Sequence, residues 1–217
     1  MTQRLERITL PAEKNATHSI IWLHGLGADG NDFSPIVTLL NLRATTRIIF
    51  PHAPIRAITV NQGYRMRAWY DITDFSFEQR DEDITGIKES AAQILDIAKE
   101  EYALGIAQEN LLYAGFSQGG ALALYLGLRH NCAGILALST YLVDRDNTPP
   151  ANCEHCPPIL QMHGTQDPVV PYTLGKISYE LLKHKGYAAE WKDYPMQHQV
   201  CPPQIHDIAT WLHTQGF

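Results

Sequence analysis

Gly115-Phe116-Ser117-Gln118-Gly119 carries the pattern GxSxG. At this chain's glycine and serine content, about 0.03 such matches arise by chance, so the pentapeptide calls for a chemical reading. The apolar run Asn110-Leu111-Leu112-Tyr113-Ala114 precedes it, and the Ala/Leu-rich stretch from Ala121 to Leu128 follows. A strand, a sharp turn and a helix in that order lift a serine hydroxyl clear of a sheet, the geometry of a nucleophile elbow. Side chains at 115 and 119 would strike backbone in so tight a turn. The start of the helix directs N–H groups and positive dipole at the same place. The competing reading is a serine in an ordinary glycine-rich turn.

A serine hydroxyl is a weak nucleophile and needs a base that is itself held by an acid. With an elbow of this kind the expected chain order is serine, acid, histidine. Four later histidines compete. His184 lies between Lys183 and Lys185 on a solvated helix end, and His206 and His213 fall within the last helical stretch. His198 follows the last strand-like run in Pro195-Met196-Gln197-His198-Gln199-Val200, which puts it at the carboxyl edge of a parallel sheet beside Ser117. The acid should follow a strand between the two. Asp167 comes after Gly164-Thr165-Gln166 and is fixed by Pro168; Asp144 and Asp146 lie farther from their strand, and Asp193 is inside one. Asp167 is the expected acid, with Asp144 the alternative. Asp167 could instead merely close an Asx-turn.

Acyl transfer also needs two N–H donors aimed at the developing oxyanion. Gln118, the residue after the nucleophile, supplies one. The other is expected from Leu26 in His24-Gly25-Leu26-Gly27-Ala28-Asp29-Gly30, where glycines let the backbone approach a substrate. Such turns also bind phosphate. The spacing of Gly25, Gly27 and Gly30 fits GxGxxG, but no acidic residue near 45–50 is available to hold a ribose.

These residues need a scaffold, and the pattern of the chain describes one. Apolar runs at 18–24, 47–50, 110–114, 134–138 and 159–163 alternate with helical stretches, and 188–194 is a more polar run suited to a sheet edge. The helical stretches are 84–102, 121–128, 174–185 and a last one opened by Pro202-Pro203. The alternation predicts an α/β fold with a mostly parallel central sheet and helices on both faces. At 217 residues a single domain over 1–217 is expected. One segment, 54–80, breaks the pattern, and its aromatic residues, Trp69, Tyr70, Phe75 and Phe77 among them, favour an ordered excursion. It either contributes to the site or is a small β-excursion packed on the body.

Charge narrows the function classes. Lysine and arginine total 17 against 23 acidic residues, a net charge of −6, and without a basic run this excludes nucleic-acid binding as the expected role. No apolar stretch reaches membrane-spanning length, and the N-terminus lacks the apolar region of a secretory signal, so a cytoplasmic protein is expected. Cys153-Glu154-His155-Cys156 is a lone CxxC without a second ligand pair; a surface loop with incidental thiols is the expected reading over a metal or redox role. No metal or organic cofactor is implied.

Taken together, the motifs resemble those of the acyl-protein thioesterase/carboxylesterase family of small α/β hydrolases. The resemblance rests on 23–33, Phe50-Pro51-His52-Ala53-Pro54, Arg67-Ala68-Trp69-Tyr70-Asp71-Ile72, 115–121, 163–171 and Tyr194-Pro195-Met196-Gln197-His198, in family order across nearly the whole chain. It implies a triad of Ser117, Asp167 and His198 with Leu26 and Gln118 as oxyanion donors. It implies that the excursion lies beside an acyl groove, with Trp69 near the catalytic centre. Tyr70 stands where many relatives carry Phe, and 199–203 resembles the bacterial branch. Relatives hydrolyse short- to medium-chain carboxylic esters, and some act on lysophospholipids or on acyl thioesters of protein cysteines. Relatives are often dimers; a homodimer or a transient membrane-surface contact here would need an exposed apolar patch around the groove. Competing readings are a catalytically silent hydrolase fold used for binding, and a peptidase or lactonase chemistry; a dienelactone-type hydrolase would carry Cys where Ser117 stands.

Overall fold

The structure, a computed structural model, describes residues 4–74, 82–151 and 156–217. Nine strands and five α-helices follow in chain order among them: β1 (Arg7–Leu10), β2 (His18–Leu23), α1 (Val37–Leu40), β3 (Thr46–Pro51), β4 (Ile55–Ile58), β5 (Tyr64–Arg67), α2 (Ile84–Ala103), β6 (Leu111–Phe116), α3 (Gln118–Gly127), β7 (Gly134–Leu138), β8 (Ile159–Gly164), α4 (Tyr172–His184), β9 (Ala189–Tyr194) and α5 (Pro202–Thr214). Seven strands form one sheet in the order β1-β3-β2-β6-β7-β8-β9. All its neighbours run parallel except β1, which pairs antiparallel with β3 from Arg7↔Pro51 to Leu10↔Ile48.

Strands buried on both faces must be apolar throughout, and β6 and β7 are. Along β6, Tyr113 enters the core on one face while Leu112 and Ala114 enter the core on the other. Helices α2, α3 and α4 cover the first face through residues such as Ile87, Ile94, Leu124 and Leu182. Helices α1 and α5 cover the second through Leu40, Ile208, Trp211 and Leu212. All ten residues of α3 are buried, which explains why that stretch is apolar nearly all round. Asp83 opens α2 by accepting the Gly86 N–H at 2.8 Å. At the sheet edge, β9 carries exposed Glu190 and Asp193 between buried Ala189 and Tyr194.

Three differences from the sequence-based expectation have local causes. Strand β1 was not expected: its four residues are all only half-buried, and an edge strand of mixed polarity leaves little periodic signal. Helix α3 begins at Gln118 rather than Ala121, because the elbow hands the chain directly to the helix. The excursion is partly regular: β4 and β5 form an antiparallel hairpin with Ile55↔Arg67 and Ile58↔Tyr64 paired. Its turn carries Gln62 and Gly63 at positive φ. Phe75 and Phe77 of the excursion, and Cys153 and His155 of the CxxC segment, lie outside the described residues. Among the described residues no helix is long and apolar enough to cross a membrane.

The register decides where function can lie. Leu23 pairs with Gly115, Phe116 with Leu138, and Gly164 with Tyr194. The carboxyl ends of β2, β6, β7, β8 and β9 therefore meet at one edge, and the loops after them converge, as ligand-binding loops of open α/β sheets do.

Candidate active site

Ser117 occupies the bend between β6 and α3 at φ 54°, ψ −120°. For a residue with a β-carbon this costs about 1–3 kcal/mol and persists only where surrounding contacts enforce it. Here they do. The Ser117 N–H donates to Leu138 O at 2.8 Å, and Ser117 O accepts from the Ala121 N–H at 3.0 Å and from Thr140 Oγ1 at 2.6 Å. The close crossing behind the bend explains the second glycine of the motif: a β-carbon on Gly119 would lie 2.3 Å from Leu23 O and 2.5 Å from His24 O.

Asp167 and His198 arrive from neighbouring strands. Gly164 ends β8 against the loop that follows β9, where a β-carbon would stand 2.3 Å from Met196 O. With that approach open, Thr165 N–H reaches Tyr194 O at 2.8 Å and Gln166 N–H reaches Met196 O at 3.1 Å. The two loops are thus stitched together, and His198 Nδ1 donates to Asp167 Oδ2 at 2.7 Å. The other carboxylate oxygen accepts the N–H groups of Val169 (2.8 Å) and Val170 (2.9 Å), so the Asx-turn and the contact to His198 coexist in one residue. Burial alone would raise the Asp167 carboxyl, but the hydrogen bonds from His198, Val170 and Val169 outweigh it and hold it below the usual carboxylate range. The alternative acid, Asp144, is taken by the Arg129 guanidinium at 2.8 Å and by Asn147 at 2.7 Å. His184 and His213 end α4 and lie in the last turn of α5, and His206 is within α5.

Ser117 and His198 line one groove of about 300 Å³, together with Leu26 and Gln118. The His198 ring packs 4.7 Å from the ring of Phe116, the residue before Ser117. Gln118 is the first residue of α3, so its N–H has no carbonyl four residues back to meet. The remaining wall is apolar, with Ala28, Ile72, Phe116, Tyr141, Val169 and Val170, and Asp32 contributes a carboxylate. That carboxyl is raised by partial burial and by the neighbouring Asp29. Ile72, Tyr141 and Thr140 were not singled out by sequence reasoning. The signal available for Thr140 and Tyr141 was their position directly after β7, at the same sheet edge as Ser117.

Trp69 packs against His24 and Gln118, next to the groove. Its side chain is fully buried, and no part of it lines the groove described above. Its indole N–H donates to His24 O at 2.9 Å, its ring packs 5.1 Å from the His24 ring, and its main-chain N–H donates to Gln118 Oε1 at 2.9 Å. Trp69 therefore lies beneath the 24–30 loop and supports it, while Ile72 is the excursion's contribution to the wall. Gln118 completes the link by donating from Nε2 to Tyr70 O at 2.7 Å.

His24 belongs to the same support. Its Nε2 accepts the Ala53 N–H at 3.0 Å, so Nδ1 carries the proton and donates to Gly25 O at 2.7 Å. Burial disfavours the imidazolium, and its pKa is lowered to about 4 despite the opposing pull of Gly25 O and Asp29. Gly27 N–H is held by Arg67 O at 2.9 Å, and Arg67 in turn reaches Ala53 O at 2.9 Å.

A mostly parallel sheet flanked by helices, with a serine held at positive φ between strand and helix, defines an α/β hydrolase. The sequence profile of the Phospholipase/Carboxylesterase family matches residues 5–215, and the chain belongs to that family. It is 35% identical to an acyl-protein thioesterase 1 of Gibberella zeae, over 98% of this chain and 96% of that one. It is 37% identical to the Neurospora crassa protein of the same name, over 94% and 89%. The crystal structure of Zea mays acyl-protein thioesterase 2 superposes with a TM-score of 0.85 at 27% identity, covering 97% of this chain and 98% of the maize one. The protein is a carboxylic ester hydrolase of the esterase/thioesterase class.

Proposed function

We propose that the enzyme cleaves short- to medium-chain acyl esters through a Ser117–His198–Asp167 triad and a covalent acyl-enzyme, and that acyl thioesters or lysophospholipids are further substrates. The observation that carries this reading is the 2.7 Å bond from His198 Nδ1 to Asp167, which leaves Nε2 as the free base in the groove that holds Ser117. His198 removes the Ser117 proton as the hydroxyl attacks the acyl carbonyl, and Asp167 stabilises the imidazolium. The N–H groups of Leu26 and Gln118 receive the oxyanion. His198 then protonates the leaving alcohol or thiol, and water releases the acid by the same route. The apolar wall from Ile72 to Val170 suits an acyl chain, and the names of the fungal and maize relatives support thioesters. We place this activity in the cytoplasm, in keeping with a core that calls for no disulfide.

A serine-directed phosphonate should label Ser117, and Ser117→Ala should abolish both labelling and ester turnover. Residual turnover within about tenfold of the parent would reject the assignment, since loss of the nucleophile costs far more. A chain-length series of nitrophenyl esters beside an acyl thioester should show turnover that peaks at short to medium chains.

A further inference from the structure

We propose that His163 is a positioning residue for the acid of the triad: it holds the 167–170 turn so that Asp167 keeps its bond to His198. The inference rests on the triad reading above.

His163 is the penultimate residue of β8, and only 1% of it is exposed. The reaction does not use it, yet it faces the machinery from behind. Its Nε2 lies 2.9 Å from Val170 O. A carbonyl can only accept, so Nε2 carries the proton and donates. Val170 also gives its own N–H to Asp167 Oδ1 at 2.9 Å, so one peptide segment is gripped by His163 and grips the carboxylate. The same Nε2 stands 3.5 Å from Asp167 Oδ2, the oxygen bonded to His198. The ring itself has little freedom. Trp191 of β9 stacks on it at 5.9 Å and 15°, and Tyr172 of α4 meets it edge-on at 6.2 Å.

The titratable groups facing His163 are Asp167 and Tyr172, with His198 beyond the carboxylate. Burial disfavours the imidazolium, against the opposing influence of Val170 O and Asp167. A neutral ring supplies a directed N–H without the full charge that would compete with His198 for Asp167. An apolar residue of similar size could fill the space, but it would leave Val170 O without this donor and the turn without its anchor.

The test uses His163→Phe, which keeps the stacking and removes the donor, and His163→Gln, which keeps a donor. Rates are divided by the active sites titrated with the phosphonate, so that misfolded protein does not count. His163→Phe should lower kcat about 10- to 100-fold, the cost of a small misplacement of a catalytic group, with KM within about twofold of the parent. The acidic limb of its kcat/KM profile should move to lower pH, because the imidazolium loses part of its carboxylate support. His163→Gln should recover most of kcat. A His163→Phe enzyme with parental kcat per titrated site, or one slowed with its acidic limb in place, would overturn the proposal. If that variant fails to fold, Gly175→Ala carries the same test, since its β-carbon would fall 2.5 Å from His163 Nδ1. Asp167→Asn separates the layers: full activity there would remove the triad reading and this inference with it, whereas an inactive Asp167→Asn beside a fully active His163→Phe would remove only the inference.

Discussion

The two flanks of Ser117 are built on opposite plans. On the flank of the 24–30 loop, Gly25, Leu26 and Ala28 line the groove, and buried polar side chains brace the backbone there. His24, Trp69 and Gln118 are all at most 2% exposed, and each exchanges hydrogen bonds with the backbone of another segment. On the flank of β8 and β9, main chain braces a side chain: the N–H groups of Val169 and Val170 hold Asp167, which holds His198 of the groove. A backbone donor cannot be rotated into place by its own side chain, so the first flank needs a buried polar brace. A carboxylate and an imidazole can be aimed individually, so the second needs only short loops brought close together, as they are at Gly164.

The contrast can be broken or sharpened by experiment. The largest effect is expected on the second flank. Asp167→Asn should cut kcat by about 10⁴-fold through loss of the imidazolium's partner, as measured by steady-state ester hydrolysis. If the effect is small, the aimed side chains are not what carries that flank.

The next effect concerns pH and the first flank. His24 has a pKa of about 4 when folded against 6.5 for the free side chain. The unfolded chain therefore takes up this proton first. The contribution of His24 is complete above pH about 6.5, falls as the pH drops through that value, and levels off near pH 4. The difference is on the order of 3 kcal/mol. Denaturant unfolding at pH 7.5 and 4.5 should show it, and a His24→Asn variant should lose this part of the pH dependence. An unchanged pH dependence in that variant would mean that the brace does not need a neutral His24.

A smaller effect is expected from Gln118→Leu, which leaves Trp69 N–H and Tyr70 O without their side-chain partner while keeping the Gln118 main-chain N–H. Stability should fall by about 2 kcal/mol, read from the shift in denaturant midpoint, while the pH profile of kcat/KM stays in place. A displaced profile would show that the two flanks are coupled rather than independent.

The difference between the flanks also explains what could be read from the sequence. The elbow was legible because a serine at φ 54° needs Gly119 behind it and an apolar strand before it, and both stand in adjacent residues. Most strands and helices were legible from apolar periodicity, β1 and α1 excepted, and the places just after β8 and β9 singled out Asp167 and His198 as candidates. The brace was not. Gln118 was chosen for its N–H, and nothing local announces that its side-chain amide bonds Trp69 and Tyr70, 49 and 48 residues away. Trp69 was placed near the centre by resemblance, yet only the packing of the excursion decides that it turns inward. His163 sits inside an apolar run, where a histidine reads as strand filling until its neighbours in β9 and α4 are known.

The strand order has a bearing on biosynthesis. Ser117 and its bend lie in the middle of the chain, but His198 follows β9, the last strand in sequence. Synthesis runs from the N-terminus, so a polypeptide still short of β9 carries Ser117 without His198. On the triad assignment, the growing chain stays without esterase activity until the residues after β9 emerge.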